Sequence, residues 1–146
     1  MNDTAVKAEV EAGPDRTIFS LLHAAHALEE KVEQALGHAG LSSAKFSVLS
    51  ELVTAGKPLS LSELAARLSC VRSNMTQLVD RLEADGMVRR VDDPADRRAV
   101  QAAITDHGRS RQAAGSAEIA KLHQEFALRV GAEDRAAVQR MLSALG

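Results

Sequence analysis

The sequence predicts a mainly α-helical fold that carries one small β-hairpin. The apolar residues are mostly Ala, Leu and Val, with three Phe and no Trp or Tyr, and this composition favours packed helices over a sheet sandwich. Residues 60–84 have the pattern of two short helices separated by a tight turn. Residues 87–104 have the pattern of two strands around a polar turn that contains proline. A helix-turn-helix followed by such a hairpin is a winged helix.

Two helices are predicted before the helix-turn-helix. Residues 1–13 are polar, and we expect them to be loosely held. Apolar residues then recur at helical spacing and predict a first helix from residue 15 to about residue 37. A serine at position 42 or 43 caps a second helix, which ends at Gly56.

The helix-turn-helix has a signal at each of its boundaries. Ser60 and Glu63 have the spacing of a capping box, so a third helix should begin near Leu61. A fourth helix follows the interruption at residues 69–72, and Gly86 suits the left-handed residue just past its end. The residues of this fourth helix that we predict to face inward are Val71, Met75, Leu78, Val79 and Leu82.

The fourth helix carries short polar or planar side chains between these apolar positions. They are Arg72, Ser73, Asn74, Thr76 and Gln77. Side chains of this kind at the start of a helix can form hydrogen bonds with base edges in the major groove of DNA. The pattern therefore favours a DNA-reading helix.

The hairpin is predicted to have strands at residues 87–91 and 99–104 and a turn at residues 92–98. The net charge of the chain is −2, which alone argues against a nucleic-acid partner, but the distribution of charge matters more than its sum. Residues 60–111 contain nine arginines and no lysine. Arginine suits groove insertion and bidentate pairing better than lysine does, so Arg97 and Arg98 in the turn are candidate DNA contacts.

The run V-D-R-L-E-A-D-G-M-V-R-R-V-D-D-P-A-D-R-R-A-V, continued by I-T-D-H-G-R, resembles the signature of the MarR family of bacterial transcription regulators. Its most specific element is Asp96-Arg97-Arg98, and the resemblance covers nearly the whole chain. It implies a single MarR-like domain, residues 14–146. Within it, residues 42–105 would form the winged-helix DNA-binding lobe, and residues 14–39 and 106–146 would be dimerisation helices.

The flanking helices agree with this division. Thr105 and Asp106 cap a long helix that runs to about Val130, and a last helix is predicted from Glu133 to Leu145. The first and last helices would expose long apolar stripes in one copy, and burial against a second copy would cover them. The resemblance assigns the terminal helices to the dimer interface.

The single Cys70 fits a reducing cytosol, so we expect a cytoplasmic protein. The resemblance implies a homodimer that binds a pseudo-palindromic operator in double-stranded DNA, most simply a repressor released by a small-molecule ligand. The fourth helix would enter the major groove, and Arg98 would lie in or beside the minor groove. Asp96 would hold Arg98 by a charge-assisted hydrogen bond, and Arg97 would contact a phosphate. The alternative is a winged helix that serves as a protein-interaction or dimerisation module without DNA binding.

Other functions have weaker support. The sequence shows no catalytic triad, paired carboxylates, P-loop or dinucleotide fingerprint, so we expect no enzyme and no cofactor. The histidines (His23, His26, His38, His107 and His123) lack the spacing of a convergent site, so no metal is expected. Cys70 is interpreted as a packing residue, although a redox sensor is an open alternative. Small phenolic or other aromatic acids are candidate effectors by resemblance, with Phe19 and Phe46 as the stacking candidates. No apolar run is long enough to span a membrane.

Overall fold

The computed structural model describes residues 15–146, so the predicted loose tail at residues 1–13 lies outside the described part. The elements are α1 (Thr17–Gly37), α2 (Ser43–Ala55), β1 (Leu59–Ser60), α3 (Leu61–Arg67), α4 (Arg72–Ala84), β2 (Val88–Asp93), β3 (Asp96–Ile104), α5 (Asp106–Arg129) and α6 (Ala132–Leu145). The predicted fold class, mainly helical with a small β-wing, is confirmed. Contacts divide the chain into two compact units, residues 1–30 and 31–146.

The described part of the first unit is the beginning of α1. The Asp15 carboxylate accepts hydrogen bonds from the hydroxyl and the amide of Thr17, at 2.5 and 2.9 Å, and these bonds lower the pKa of Asp15. The helix starts at Thr17, two residues later than predicted and directly after this Asp15 turn. Its apolar side chains are largely exposed, namely Ile18, Phe19, Leu22 and Leu28.

The second unit contains the hydrophobic core. The largest fully buried side chains come from four helices and two strands: Leu36, Val48, Leu49, Leu52, Leu59, Leu64, Met75, Val79, Leu82 and Val88. They belong to one cluster that joins the helix-turn-helix to its neighbours. Among the described residues no polar or charged residue is buried, so hydrophobic burial alone holds this core.

Three predicted helix boundaries in the second unit are confirmed by their caps. Ser42 accepts from the amide of Lys45 at 3.2 Å and opens α2. Ser60 and Glu63 form the reciprocal capping box at 3.1 and 2.9 Å, which lowers the pKa of Glu63 and opens α3. Gly86 has the left-handed backbone expected after α4, with φ of 71°.

The sheet has three antiparallel strands in the order β1-β3-β2, whereas the sequence predicted only the hairpin β2-β3. The added strand β1 pairs Leu59 with Ala102 and Ser60 with Gln101. Two residues are too few to show the alternation that identifies a strand, so only the structure reveals β1. Because β1 leads directly into α3, its pairing with β3 holds the start of α3 next to the wing.

Helices α5 and α6 follow the wing. Thr105 caps α5 by accepting from the amide of Gly108 at 3.0 Å, and its hydroxyl donates to the carbonyl oxygen of Gly86 at 2.7 Å. Helix α6 exposes Val138, Leu142 and Leu145. None of the helices of residues 15–146 is both long and apolar enough to cross a membrane. The division into a DNA-binding lobe and dimerisation helices stays a prediction.

Candidate nucleic-acid interface

Helix α4 buries one side in the core and leaves the predicted reading residues outside. Met75, Val79 and Leu82 are fully buried and anchor the helix. Of the predicted reading residues, Arg72, Ser73, Asn74 and Gln77 are exposed and Thr76 is half-buried. The structure thus brings all five predicted side chains onto one helix, with four of them open to a partner.

Hydrogen bonding divides these five residues into two groups. The Arg72 guanidinium donates to the hydroxyl of Ser62 on α3, and the Thr76 hydroxyl donates to the Arg72 carbonyl at 3.1 Å. Ser73, Asn74 and Gln77 make no side-chain hydrogen bond to any residue of the described chain. Their donors and acceptors are therefore available for base edges without first breaking a bond within the protein.

Val71 was predicted to face inward, and this prediction is wrong. Its side chain is 62% exposed. Val71 is the N-cap of α4, and its φ and ψ of −71° and 145° are extended and not helical. The helical period that would place it above Met75 therefore begins only after this residue.

The wing strands extend further toward the tip than predicted. Strand β2 reaches Asp93 and β3 begins at Asp96, so the turn consists only of Pro94 and Ala95. The pairing shifts from Asp92 opposite Val100 to Asp93 opposite Asp96. Residues 97–99 consequently have no partner in β2 and form an irregular segment of β3, here called the bulge at residues 97–99.

Arg97 and Arg98 therefore lie in a strand bulge and not in the predicted turn, and both are exposed. Asp96 accepts a hydrogen bond from Arg98 at 2.9 Å, but the donor is the backbone amide of Arg98. The predicted hydrogen bond between Asp96 and Arg98 is present, but it involves the Arg98 backbone and not the Arg98 side chain. Asp96 fixes the backbone of the bulge and leaves the Arg98 guanidinium unattached.

An ion-pair cluster that the sequence did not suggest joins α4 to the wing. The Arg90 guanidinium donates to Asp80 and to Glu83, and the Arg90 amide also donates to Glu83, at 3.1 Å. These bonds raise the pKa of Arg90 and hold the pKa of Glu83 below its usual value. The Arg90 side chain is only 27% exposed, so this arginine is part of the scaffold.

The remaining arginines of this region stay available for anions. Arg67 pairs with Glu51 at 3.3 Å, but the other exposed arginines form no ion pair with described residues. On α4 and the wing they are Arg72, Arg81, Arg89, Arg97 and Arg98. Residues 72–104 contain six arginines and six acidic residues, so these guanidinium groups are local positive sites on a surface of balanced charge.

The residues considered for sensing have ordinary surroundings. Cys70 packs against the core at its edge, and its thiol donates to the Val71 carbonyl at 3.5 Å. Within residues 15–146 no group of three or more metal-binding side chains converges. His26 lies between Glu29 and Glu30, at 3.8 and 3.5 Å, and His38 lies 3.5 Å from Glu118.

The two candidate aromatic residues also have defined places. Phe19 is exposed on the first unit. Phe46 packs on Gly115 of α5, where an added Cβ would lie 2.8 Å from its ring. This contact occupies the Phe46 ring in holding α2 against α5. A shallow groove of about 210 Å³ lies between the end of α1 and α5 and is lined mostly by charged and polar side chains.

The similarity to known proteins includes the same region of the chain. The model of the MarR family matches residues 41–100. The activatory protein BadR of Rhodopseudomonas palustris is 34% identical over 109 residues, which cover 73% of this chain and 62% of BadR. The repressor YetL of Bacillus subtilis is 31% identical over 105 residues, which cover 71% of this chain and 63% of YetL.

A solved structure extends the likeness beyond the winged helix. The structure of CouR from Rhodococcus jostii RHA1 bound to p-coumaroyl-CoA is 27% identical, with a TM-score of 0.73 and 90% of each chain covered. Among the curated relatives, the chain spans only about half the length of some proteins that it matches, 44% and 49% in two cases.

Proposed function

Because the chain belongs to the MarR family, we propose that it is a homodimeric, sequence-specific DNA-binding transcription regulator. The observation that carries this proposal is the exposed polar row of α4 beside two exposed arginines in the wing. A winged helix retained only for protein interaction has no need of either feature. The same family membership places the chain among regulators and not among enzymes.

Helix α4 would enter the major groove, with Ser73, Asn74 and Gln77 near base edges or phosphates. The two amides match the donor and acceptor pair that adenine displays in this groove. Arg72, at the N-terminal end of the helix, would exchange its bond to Ser62 for a base or a phosphate. The Thr76 hydroxyl, which donates to the helix backbone, would present its oxygen as an acceptor.

The wing would place Arg98 in or beside the minor groove and Arg97 at a phosphate. Narrow A·T-rich minor grooves concentrate negative potential, which favours a guanidinium. The bulge at residues 97–99 supports this role because it separates the two arginines from the regular ladder. Asp96 would keep the bulge in one shape before DNA arrives.

A second copy of the chain would cover the exposed apolar side chains of the terminal helices. In the first unit these are Ile18, Phe19 and Leu22, and in α6 they are Val138, Leu142 and Leu145. Burying apolar side chains of this size away from water is favourable. Two copies related by a two-fold axis would require a pseudo-palindromic operator.

We further propose a repressor in the cytoplasm that a small phenolic or other aromatic ligand releases, with no bound cofactor. Support comes from the repressor YetL and from CouR, whose structure contains an aromatic acyl-CoA. BadR is named as an activatory protein, and activation is the opposite effect on a regulated gene. Transcription from the target promoter with and without the protein distinguishes repression from activation.

Selection of binding sites from random double-stranded DNA by the full chain tests the function. We expect enrichment of one pseudo-palindromic sequence, and a footprint on it that candidate phenolic acids weaken. Arg98→Ala should abolish the footprint at physiological salt, whereas Arg16→Ala, outside the winged helix, should leave it intact. No enrichment of any sequence would favour the protein-interaction module instead.

A further inference from the structure

Val71 occupies a position where its side chain helps neither the helix nor the core. As the N-cap of α4 it makes no side-chain hydrogen bond to the open helix end, a place that Ser, Thr, Asp and Asn fill best. It is also 62% exposed, so it contributes little to hydrophobic burial. A residue that is unfavourable on both counts, at the tip of a reading helix, points to a role in binding.

The backbone around Val71 is held firmly, which gives the side chain a defined direction. The Cys70 amide donates to the Ala65 carbonyl at 2.9 Å, and the Met75 amide donates to the Val71 carbonyl at 3.1 Å. Ser69 adopts a left-handed φ of 50°, an unfavourable conformation for a residue with a side chain. The backbone of this turn is therefore strained at Ser69. Val71 follows in the same turn, and its side chain is exposed to solvent next to Arg72.

The major groove displays one methyl group, the C5 methyl of thymine, which is recognised by apolar contact and not by a hydrogen bond. The other exposed side chains at the start of α4, those of Arg72, Ser73 and Asn74, are all polar. Residues at the N-terminal end of a recognition helix are those that reach base edges. We propose that Val71 reads the methyl group of one thymine in each operator half-site.

This proposal rests on the DNA-binding function proposed above, and substitution of deoxyuridine for thymidine separates the two. Deoxyuridine keeps every hydrogen-bonding group and lacks only the methyl. The probe is the duplex selected by the full chain from random DNA, with one thymine at a time replaced symmetrically in both half-sites. Failure to select any duplex would remove the proposed function, and this inference with it.

For the wild-type chain we expect one thymine position whose replacement lowers affinity roughly fourfold for each half-site, the effect of one buried methyl group. Val71→Ala should bind the thymine duplex correspondingly more weakly and should lose the response at that position alone. Val100→Ala is the matched control. Val100 is an exposed valine of the wing, outside the recognition helix, and its loss should leave the thymine response unchanged.

Val71→Ser distinguishes recognition from a structural role. Serine restores a capping side chain, so this variant should melt at a higher temperature than the wild type while it binds the thymine duplex more weakly. Equal weakening of Val71→Ala on thymine and deoxyuridine duplexes would overturn the proposal, as would a selected half-site without thymine.

Discussion

Asp96→Ala tests how the wing is prepared for DNA. The Asp96 carboxylate accepts from the Arg98 amide at 2.9 Å and is the described side-chain contact that fixes the bulge at residues 97–99. Without it, binding must order about one more residue in each wing. Ordering one residue costs about 1 kcal/mol, so two wings cost about 2 kcal/mol.

The loss of negative charge acts in the opposite direction but is smaller. A unit charge about 10 Å from a phosphate contributes roughly 0.4 kcal/mol in water before screening, and less at physiological salt. The ordering cost therefore prevails, and Asp96→Ala should weaken operator binding by about tenfold. Stability should change by less than about 0.5 kcal/mol, because water can reach the exposed amide.

Fluorescence anisotropy with a labelled operator duplex at 0.15 M salt measures this effect, and two variants calibrate it. Asp96→Asn keeps the acceptor oxygen and removes the charge, so it should bind at least as well as the wild type. Asp92→Ala removes a nearby charge whose side chain makes no hydrogen bond among residues 15–146, and it should bind slightly more tightly. A folded Asp96→Ala variant that binds more tightly than the wild type would refute the positioning role.

Three further predictions concern stability, specificity and sensing. Gly108→Ala should destabilise the fold by about 1–3 kcal/mol in urea denaturation, because the added Cβ would lie 2.1 Å from a backbone oxygen. Gly37→Ala is the control and should not destabilise the fold, since its Cβ would have nothing within 4 Å. Equal stability of the two variants would contradict this packing. Asn74→Ala or Gln77→Ala should relax preference at one base pair by about 1–3 kcal/mol in competition binding, and uniform weakening on every sequence would assign base reading elsewhere. Cys70→Ser should leave operator affinity and its response to peroxide unchanged, and peroxide release of the wild type alone would establish a sensor.

The helices and their caps could be predicted because their signals are local. The capping box of Ser60 and Glu63 and the left-handed Gly86 depend on residues within one turn of each other, and both appear in the structure as expected. The polar row of α4 could be predicted for the same reason. Helical spacing separates the buried Met75 and Val79 from the exposed Ser73 and Gln77.

Features that depend on contacts between elements could not be predicted. Arg90 meets acids seven and ten residues earlier, and α4 ends between those acids and Arg90, so helical spacing does not predict the contact. Two-residue β1 is visible only through its pairing with β3. The error at Val71 has a different source, since the helical period was extended one residue beyond the true start of α4.

In the proposed complex, two α4 helices of one dimer read two half-sites on the same face of DNA. Inserting 5 bp between the half-sites of the selected operator rotates one of them by about half a helical turn, whereas 10 bp restores the face. Titration of these three duplexes, with the mass of each complex measured by light scattering, tests this arrangement directly. We predict a dimer on the original duplex and loss of tight binding after the 5-bp insertion, with partial recovery at 10 bp. Equal affinity for all three duplexes, or a single chain bound tightly to the original operator, would contradict it.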